Sequence, residues 1–277
     1  MSGRPPAPEP LPAPVTDTHC HLDIGRGPDH QPDPDRELAE AAAVGVTRVV
    51  QVGTDVSGSG WAAEAAARYD GVVAGVALHP NEAPRLAADG QLDEALAEID
   101  RLAGSSDRVR AVGETGLDFY RTGPEGRQAQ EESFRAHLEI ARRHGKALVI
   151  HDRDAHADVL RILDDAVPPD RVVFHCFSGD AAMARTCAGR GWFISFAGTV
   201  TFANAAPLRE ALAATPPEQV LVETDAPFLT PHPYRGRPNA PYLVPITVRK
   251  IAEVQGRDLE PACRTLQDAT FRAFGAW

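Results

Sequence analysis

Apolar residues in this chain gather in short Val-, Ile- and Leu-rich runs rather than in strict alternation with polar ones. Eight runs stand out: Val15 to Cys20, Arg48 to Gly53, Val72 to Leu78, Val109 to Gly113, Ala147 to Ile150, Val172 to Phe174, Trp192 to Phe196 and Val220 to Glu223. A short run that is apolar throughout suits a strand covered on both faces, as in a parallel sheet. Between the runs lie segments rich in Ala, Leu, Glu and Arg, among them Arg36 to Val44, Leu92 to Ala103, Arg127 to His144 and Ala155 to Ala166. Their apolar positions recur at helical spacing. Strand and helix alternating eight times predict an α/β chain folded as a single (β/α)8 TIM barrel, and 277 residues is an ordinary size for one. The barrel domain is placed at residues 15–277. Residues 1–14, Pro-rich from Ser2 to Pro14, are expected to form a disordered or polyproline tail, a solvated extension rather than a ligand for another domain.

Composition narrows the class without choosing the function. A hydrophobic content of 43% supports a large core, and no apolar run approaches the roughly 20 residues of a membrane span. No signal-peptide pattern opens the chain, so no membrane association is expected. Four cysteines, Cys20, Cys176, Cys187 and Cys263, are too few for a disulfide framework in a chain of this length, and a reducing cytoplasm is the expected compartment. The net charge of −11 argues against a broad basic surface for duplex nucleic acid. A local one remains open, because Arg121, Arg153, Arg235 and Arg237 fall in loops that follow strands.

The chemistry sits where the apolar runs end. The first finishes in His19-Cys20-His21, and residues two apart on a strand share a face, so both imidazoles point one way. The fourth run ends at Glu114, the fifth at His151, the sixth at His175, and the eighth leads to Asp225. The C-terminal ends of all strands in a barrel open onto one mouth, which would gather His19, His21, Glu114, His151, His175 and Asp225. Six such groups exceed the needs of one tetrahedral ion and suit a pair of divalent metal ions, with Glu114 bridging and water activated between them. Hydrolysis is then the expected reaction, with Glu114 and Asp225 in catalytic roles and Asp225 as the base that takes the water proton. Cys20 and Cys176 adjoin ligands, yet strand parity turns them toward the helices.

These residues lie in stretches that resemble the TatD family of metal-dependent deoxyribonucleases. The matching stretches run from Asp17 to Asp23 (DTHCHLD), Gly75 to Pro80 (GVALHP), Gly113 to Asp118 (GETGLD), Ile150 to Arg153 (IHDR), His175 to Gly179 (HCFSG) and Glu223 to Pro231 (ETDAPFLTP), with a late loop from Arg235 to Pro241 (RGRPNAP). The resemblance covers all but the tail. It implies cleavage of DNA phosphodiester bonds, 3′ to 5′ on single strands, with Mg2+, Mn2+ or Zn2+ as cofactor. Two departures are Asn239-Ala-Pro241, where the family reads Asn-Glu-Pro, and the long Pro-rich start. No obligate protein partner is inferred.

Substrate contacts are assigned to His79, Arg153 and Ser178. His79 ends the third run and either hydrogen-bonds a substrate phosphate or supports the ligands from behind. Ser178 and Gly179 resemble a helix N-terminus, whose free N–H groups bind phosphate. Asp118 either orients a ligand, brought back by a tight turn at Gly116, or caps a helix. Phe119, Tyr120, Phe177, Phe202, Phe228 and Tyr234 follow strands, and one or two of them are expected to stack on nucleobases. His30, His137, His144, His156 and His232 lack partners at ligand spacing and are assigned to surface or packing. Neither a dinucleotide-binding nor a Walker glycine loop is present, and the candidate serine and cysteine nucleophiles lack a catalytic base motif. The rival reading keeps the metals and changes the substrate to an ester or amide, such as D-aminoacyl-tRNA. Many amidohydrolases bridge their metals with a carboxylated lysine, but Lys146 lies at the wrong end of its strand for that. A metal-binding protein without turnover is a third class, disfavoured because all six ligands are present.

Overall fold

The computed structural model describes residues 3–25 and 31–277. Eight strands stand in the sheet in sequence order: β1 (Val15–Cys20), β2 (Val46–Val52), β3 (Val72–Val76), β4 (Val109–Asp118), β5 (Ala147–Arg153), β6 (Val172–Phe174), β7 (Phe193–Phe196) and β8 (Val220–Val222). Helices follow each of them: α1 (Pro34–Ala43), α2 (Val56–Arg68), α3 (Ala83–Ala88) with α4 (Leu92–Ala103), α5 (Pro124–His144), α6 (His156–Asp165), α7 (Ala181–Gly189), α8 (Ala206–Ala214), and finally α9 (Val244–Val254) with α10 (Leu259–Phe274). This is the (β/α)8 TIM-barrel class that the alternation predicts. Among the described residues no helix is long and apolar enough to cross a membrane. His30 and Ser2 lie outside the described residues.

The chain packs as two compact units. The first comprises Met1–Gln51 and Gly179–Arg272; the second is Val52–Ser178, joined by Ala273–Gly275. In the first, β1 runs parallel to β2 with Asp17 opposite Val49, and β7 runs parallel to β8 with Ile194 opposite Val220. A parallel bridge between Cys20 and Ala226 ties β1 to the chain just beyond β8. The second unit has its longest ladder between β4 and β5, from Ala111 opposite Ala147 to Asp118 opposite Arg153. Strand side chains such as Val49, Val50, Val73, Val112, Ile150 and Ile194 are fully buried. Each contributes roughly 1.5–3 kcal/mol through the apolar surface it removes from water.

Both β4 and β5 continue past the points where the apolar pattern stops. The β4–β5 register shifts between Val112 and Thr115 and then resumes with Thr115 opposite Ile150 and Gly116 opposite His151. Polar residues that read as strand ends are thus still inside the ladder. Gly116 makes this possible: its φ is +138°, and a Cβ there would run into the His151 carbonyl oxygen. No turn forms at Gly116; Asp118 reaches the site by strand parity.

The Pro-rich start differs from the disordered tail expected of it. Residues 3–14 form neither helix nor strand, yet Leu11 and Ala13 are buried. The Leu11 N–H donates to the Val44 carbonyl at 3.0 Å and the Tyr242 hydroxyl to the Pro5 carbonyl at 2.6 Å. The Arg249 guanidinium donates to the carbonyls of Glu9 and Pro10 at 2.9 and 3.2 Å, while Arg4 pairs with Glu40 at 2.9 Å and lies over the Tyr242 ring. Proline removes donors but leaves every carbonyl, and here those acceptors are met by donors more than two hundred residues away in sequence. Composition carries no trace of such donors.

Candidate metal centre

In the second unit, three imidazoles, one on β5 and two from just beyond β3 and β6, converge on one carboxylate oxygen of a β4 glutamate. Glu114 Oε2 lies 2.9 Å from His175 Nε2, 3.2 Å from His151 Nδ1 and 3.7 Å from His79 Nε2. His151 Nδ1 is also 3.3 Å from His175 Nε2. Glu114 and His175 are buried, and His79 and His151 nearly so. Burial opposes the charge on Glu114, but His175 and His79 nearby, and hydrogen bonds from His151 and His175, outweigh it and hold the carboxyl well below its ordinary range. Converging imidazoles around a deprotonated carboxylate are the donor set that a Zn, Mn or Fe ion takes. The residues present therefore fit a divalent metal.

The histidines are not equivalent, because what holds one ring nitrogen decides what the other offers. His151 stands between two carboxylates, with Nε2 3.4 Å from Asp118 Oδ2 and Nδ1 3.2 Å from Glu114 Oε2; burial opposes its charge, yet these two carboxylates outweigh it and raise its pKa. Asp118 is itself fixed by the Arg121 N–H at 2.9 Å and the Asn81 amide at 3.1 Å. Burial raises the Asp118 pKa, yet the hydrogen bonds from His151, Arg121 and Asn81 leave it well below the usual carboxylate range. His79 is shifted in the opposite direction from His151. Its Nδ1 accepts the Asn81 N–H at 3.1 Å, and burial, reinforced by His151 and His175, lowers its pKa to about 4 despite Glu114. At neutral pH it carries one proton, on Nε2, and presents a donor rather than a lone pair.

His79 is aimed by its neighbours. The His79 N–H donates to the Thr54 carbonyl at 2.7 Å, and the Leu78 N–H donates to His137 Nε2 at 3.0 Å. His137, buried on α5 with Nδ1 against the Ser133 carbonyl at 2.7 Å, is a packing residue as expected, with burial lowering its pKa to about 4. His144 pairs with Asp100 at 2.8 Å and His156 with Asp152 at 2.8 Å, while His232 is exposed. Lys146 donates to the Ser106 carbonyl at 3.4 Å, at the opposite end of β5 from His151.

In the first unit, His19 and His21 stand on the same side of the β1 end, ring centroids 5.1 Å apart. Their Nε2 atoms lie 3.8 and 3.5 Å from Asp225 Oδ1. The ladder continues past both strands to hold them there: the Asp225 N–H donates to the His19 carbonyl at 2.9 Å and the His21 N–H to the Ala226 carbonyl at 2.8 Å. Asp225 adopts φ +56°, a left-handed conformation costing an L-residue roughly 1 kcal/mol, and the surrounding hydrogen bonds impose it.

Asp17 is the site residue that the sequence reading passed over. It is fully buried and accepts the Thr224 N–H at 2.9 Å, the Thr224 hydroxyl at 2.5 Å and the His19 N–H at 3.3 Å. Burial pushes its carboxyl up to about 8 against those hydrogen bonds, with Glu223 adding to the rise. It ties β1 to the turn that carries Asp225. A carboxylate inside an otherwise apolar run, two residues before His19, was the available signal. Asn239 supports the same turn by donating to the carbonyls of Thr224 and Phe228 at 2.9 and 2.6 Å, so the departure at Ala240 leaves this loop intact.

Other expectations place differently. Cys20 is buried with its Sγ 3.7 Å from the Val50 carbonyl, and no cysteine joins a metal-competent group among the described residues. Ser178 does not open a helix. It is exposed and donates to the Asp152 carbonyl at 3.0 Å; α7 begins at Ala181, capped by the Asp180 carboxylate on the Met183 N–H at 2.8 Å. An anionic cap repels the phosphate that a bare helix end would attract. Arg153 lies with its guanidinium 3.9 Å from the centre of the Tyr120 ring.

A barrel fold with histidine and carboxylate clusters at its strand ends defines a metal-dependent hydrolase. The profile of the TatD-related DNases matches residues 16–275. The chain is 48% identical over 245 residues to an uncharacterized metal-dependent hydrolase TatD of Mycobacterium tuberculosis, covering 87% of this chain and 90% of that one. It is 34% identical over 229 residues to a Cronobacter sakazakii protein named 3′-5′ ssDNA/RNA exonuclease TatD, covering 80% and 84%. The crystal structure of the TatD homologue YJJV of Escherichia coli superposes with a TM-score of 0.86 at 26% identity, over 95% of this chain and 98% of that one. The chain belongs to the TatD family of metal-dependent hydrolases.

Proposed function

We propose that this protein hydrolyses phosphodiester bonds of single-stranded DNA from the 3′ end, using two divalent metal ions held by His19, His21, Glu114, His151, His175 and Asp225. The carrying observation is the meeting of imidazole nitrogens on Glu114 Oε2, with His151 oriented by Asp118. The exonuclease name of the Cronobacter sakazakii relative supports the choice of substrate. Mg2+, Mn2+ or Zn2+, when bound, supplies a water of lowered pKa and positive charge against the phosphate oxygens.

The protein groups do the rest. Glu114, kept deprotonated, would be a ligand to the metal beside His151 and His175. Asp225, steered by Asp17 through Thr224, accepts the proton of the attacking water. His79 donates from Nε2 to a phosphate oxygen as charge builds on it, a contact that its low pKa keeps available across neutral pH. Arg153 contributes a guanidinium for the phosphate.

The test is hydrolysis of 3′- and 5′-labelled single-stranded DNA, duplex DNA and RNA by protein stripped of metal and then reloaded with each ion, with metal content measured alongside. Metal-dependent shortening of single strands from the 3′ end is the expected outcome. Full activity in the stripped protein, or turnover of D-aminoacyl-tRNA and carboxyl esters but not DNA, refutes the assignment.

A further inference from the structure

We infer that Tyr120 and Arg153 form a nucleotide clamp beside the metal centre: the guanidinium engages a strand phosphate while the open face of the phenol ring stacks on a nucleobase. This rests on the nuclease reading proposed above and names the groups that select a nucleic acid strand. Of the six aromatics that follow strands, Phe177 is buried, and Phe119, Phe202 and Tyr234 are half-buried. Tyr120 and Phe228 are exposed, at 63% and 42%. Tyr120 alone of these two has a guanidinium on its ring, that of Arg153, 3.9 Å from the centroid among the described residues.

The ladder aims the pair. Gly116 stands opposite His151 and Asp118 opposite Arg153, and the Phe119 N–H donates to the Arg153 carbonyl at 2.9 Å, carrying β4 and β5 one step further together. Arg153 is two residues beyond His151 on the same strand face, about 7 Å along it. That distance lets a strand whose phosphate sits at His151 reach the clamp with an adjoining nucleotide.

Arg153 has no hydrogen-bond acceptor and no carboxylate partner among the described residues, so its N–H groups are available to a phosphate. Tyr120 holds the guanidinium over its ring and is still 63% exposed. An exposed aromatic ring stiffened by a cation and adjoining a phosphate-cutting site suits stacking, which tolerates any base.

Two measurements test the clamp. The first is steady-state kinetics of Tyr120→Ala, Tyr120→Phe, Tyr120→Leu and Arg153→Gln on single-stranded DNA and on methyl p-nitrophenyl phosphate, a diester with no nucleobase. The second is fluorescence of a phosphorothioate oligonucleotide carrying 2-aminopurine, whose emission is quenched by stacking, titrated with metal-stripped protein. For Tyr120→Ala the KM for DNA rises about tenfold with kcat within about threefold. Its preference for DNA over the base-free diester falls by a similar factor, and the quench disappears. Tyr120→Phe restores all three and Tyr120→Leu none. Arg153→Gln weakens oligonucleotide binding and makes it less sensitive to salt. A KM for Tyr120→Ala within twofold of the unaltered protein with the quench retained, or full rescue by Leu, overturns the clamp alone. If the unaltered protein turns over the base-free diester but not DNA, the nuclease reading fails and the clamp falls with it.

Discussion

Gly116→Ala should damage this protein severely. Two independent costs meet there. The backbone sits at φ +138°, a region that an L-residue enters only at about 1–3 kcal/mol. The added Cβ would also overlap the carbonyl oxygen of His151, which is backbone and cannot swing aside as a side chain would. Overpacking of this kind costs about 1–3 kcal/mol, so the variant is expected to lose about 4 kcal/mol of stability. Gly145 provides the comparison. It adopts φ +59° at the end of α5 with nothing within 4 Å of an added Cβ, so Gly145→Ala carries conformational strain alone, about 1 kcal/mol. Urea denaturation of both variants, with divalent metal affinity measured by calorimetry, separates the contributions. Any β4–β5 separation that relieves the overlap moves His151 from Glu114, so metal affinity should fall at least tenfold in Gly116→Ala and stay within twofold in Gly145→Ala. Equal stability losses in the two variants, within 0.5 kcal/mol by the precision expected of such comparisons, would refute the claimed contact between strands.

Three more expectations follow from other parts of the structure. Glu114→Gln removes the carboxylate on which three imidazoles converge; metal bound per chain, measured by elemental analysis after dialysis, should drop by at least half, with nuclease rate down about a thousandfold. Glu37, buried on α1, has its pKa raised by burial from 4.5 to about 7. A raised acid pKa favours the protonated folded state, so stability is lost as pH climbs from 4.5 to 7, by at most about 3 kcal/mol; Glu37→Gln should flatten that fall in thermal melts between pH 5 and 8, and an unchanged slope would exclude Glu37 as its source. Deleting residues 2–13 should cost about 2 kcal/mol, from Leu11 burial and the hydrogen bonds of Arg249 and Tyr242, read by denaturation midpoint; a midpoint unchanged by the deletion would restore the view of this segment as a solvated extension.

The fold was legible because a parallel strand buried on both faces leaves an unmistakable apolar run, and each of the eight runs overlaps a strand. What pattern could not show was continuation. Glu114 to Asp118 and His151 to Arg153 are polar or small, and only the shifted register after Val112 keeps them in the ladder. The candidate site residues stood out through position, at the ends of runs, but their surroundings did not. His79 and His151 are both imidazoles at strand ends in sequence; burial with an Asn81 N–H on one, and Asp118 and Glu114 carboxylates beside the other, shift their pKa values in opposite directions. Asp17 escaped notice because a carboxylate inside a strand looks like an interruption until Thr224, some two hundred residues later, folds onto it. Ser178 misled for the converse reason. A Ser-Gly pair after a strand is a common prelude to a helix, but Asp180 takes the cap.

The overall charge of −11 is a poor guide to what this surface binds, since the arginines are not alike. Along the helices they are neutralised locally: Arg85 by Glu82, Arg101 by Glu98, Arg142 by Glu139, Arg161 by Asp158 and Glu131, Arg264 by Glu260. These pairs are exposed and contribute little beyond solubility. At the ends of β4 and β5 and the start of α5 the pattern breaks. Arg121, Arg127 and Arg153 have no carboxylate partner among the described residues, and the last two lie over Phe119 and Tyr120 instead. An aromatic face holds a guanidinium in place without discharging it, whereas a carboxylate does both. Positive charge is therefore kept active at the edge of this unit where Glu114, Asp118, His79 and His151 gather. That distribution favours an anionic substrate that approaches along the β4 and β5 ends and disfavours a neutral ester, which would gain nothing from guanidinium groups left unpaired.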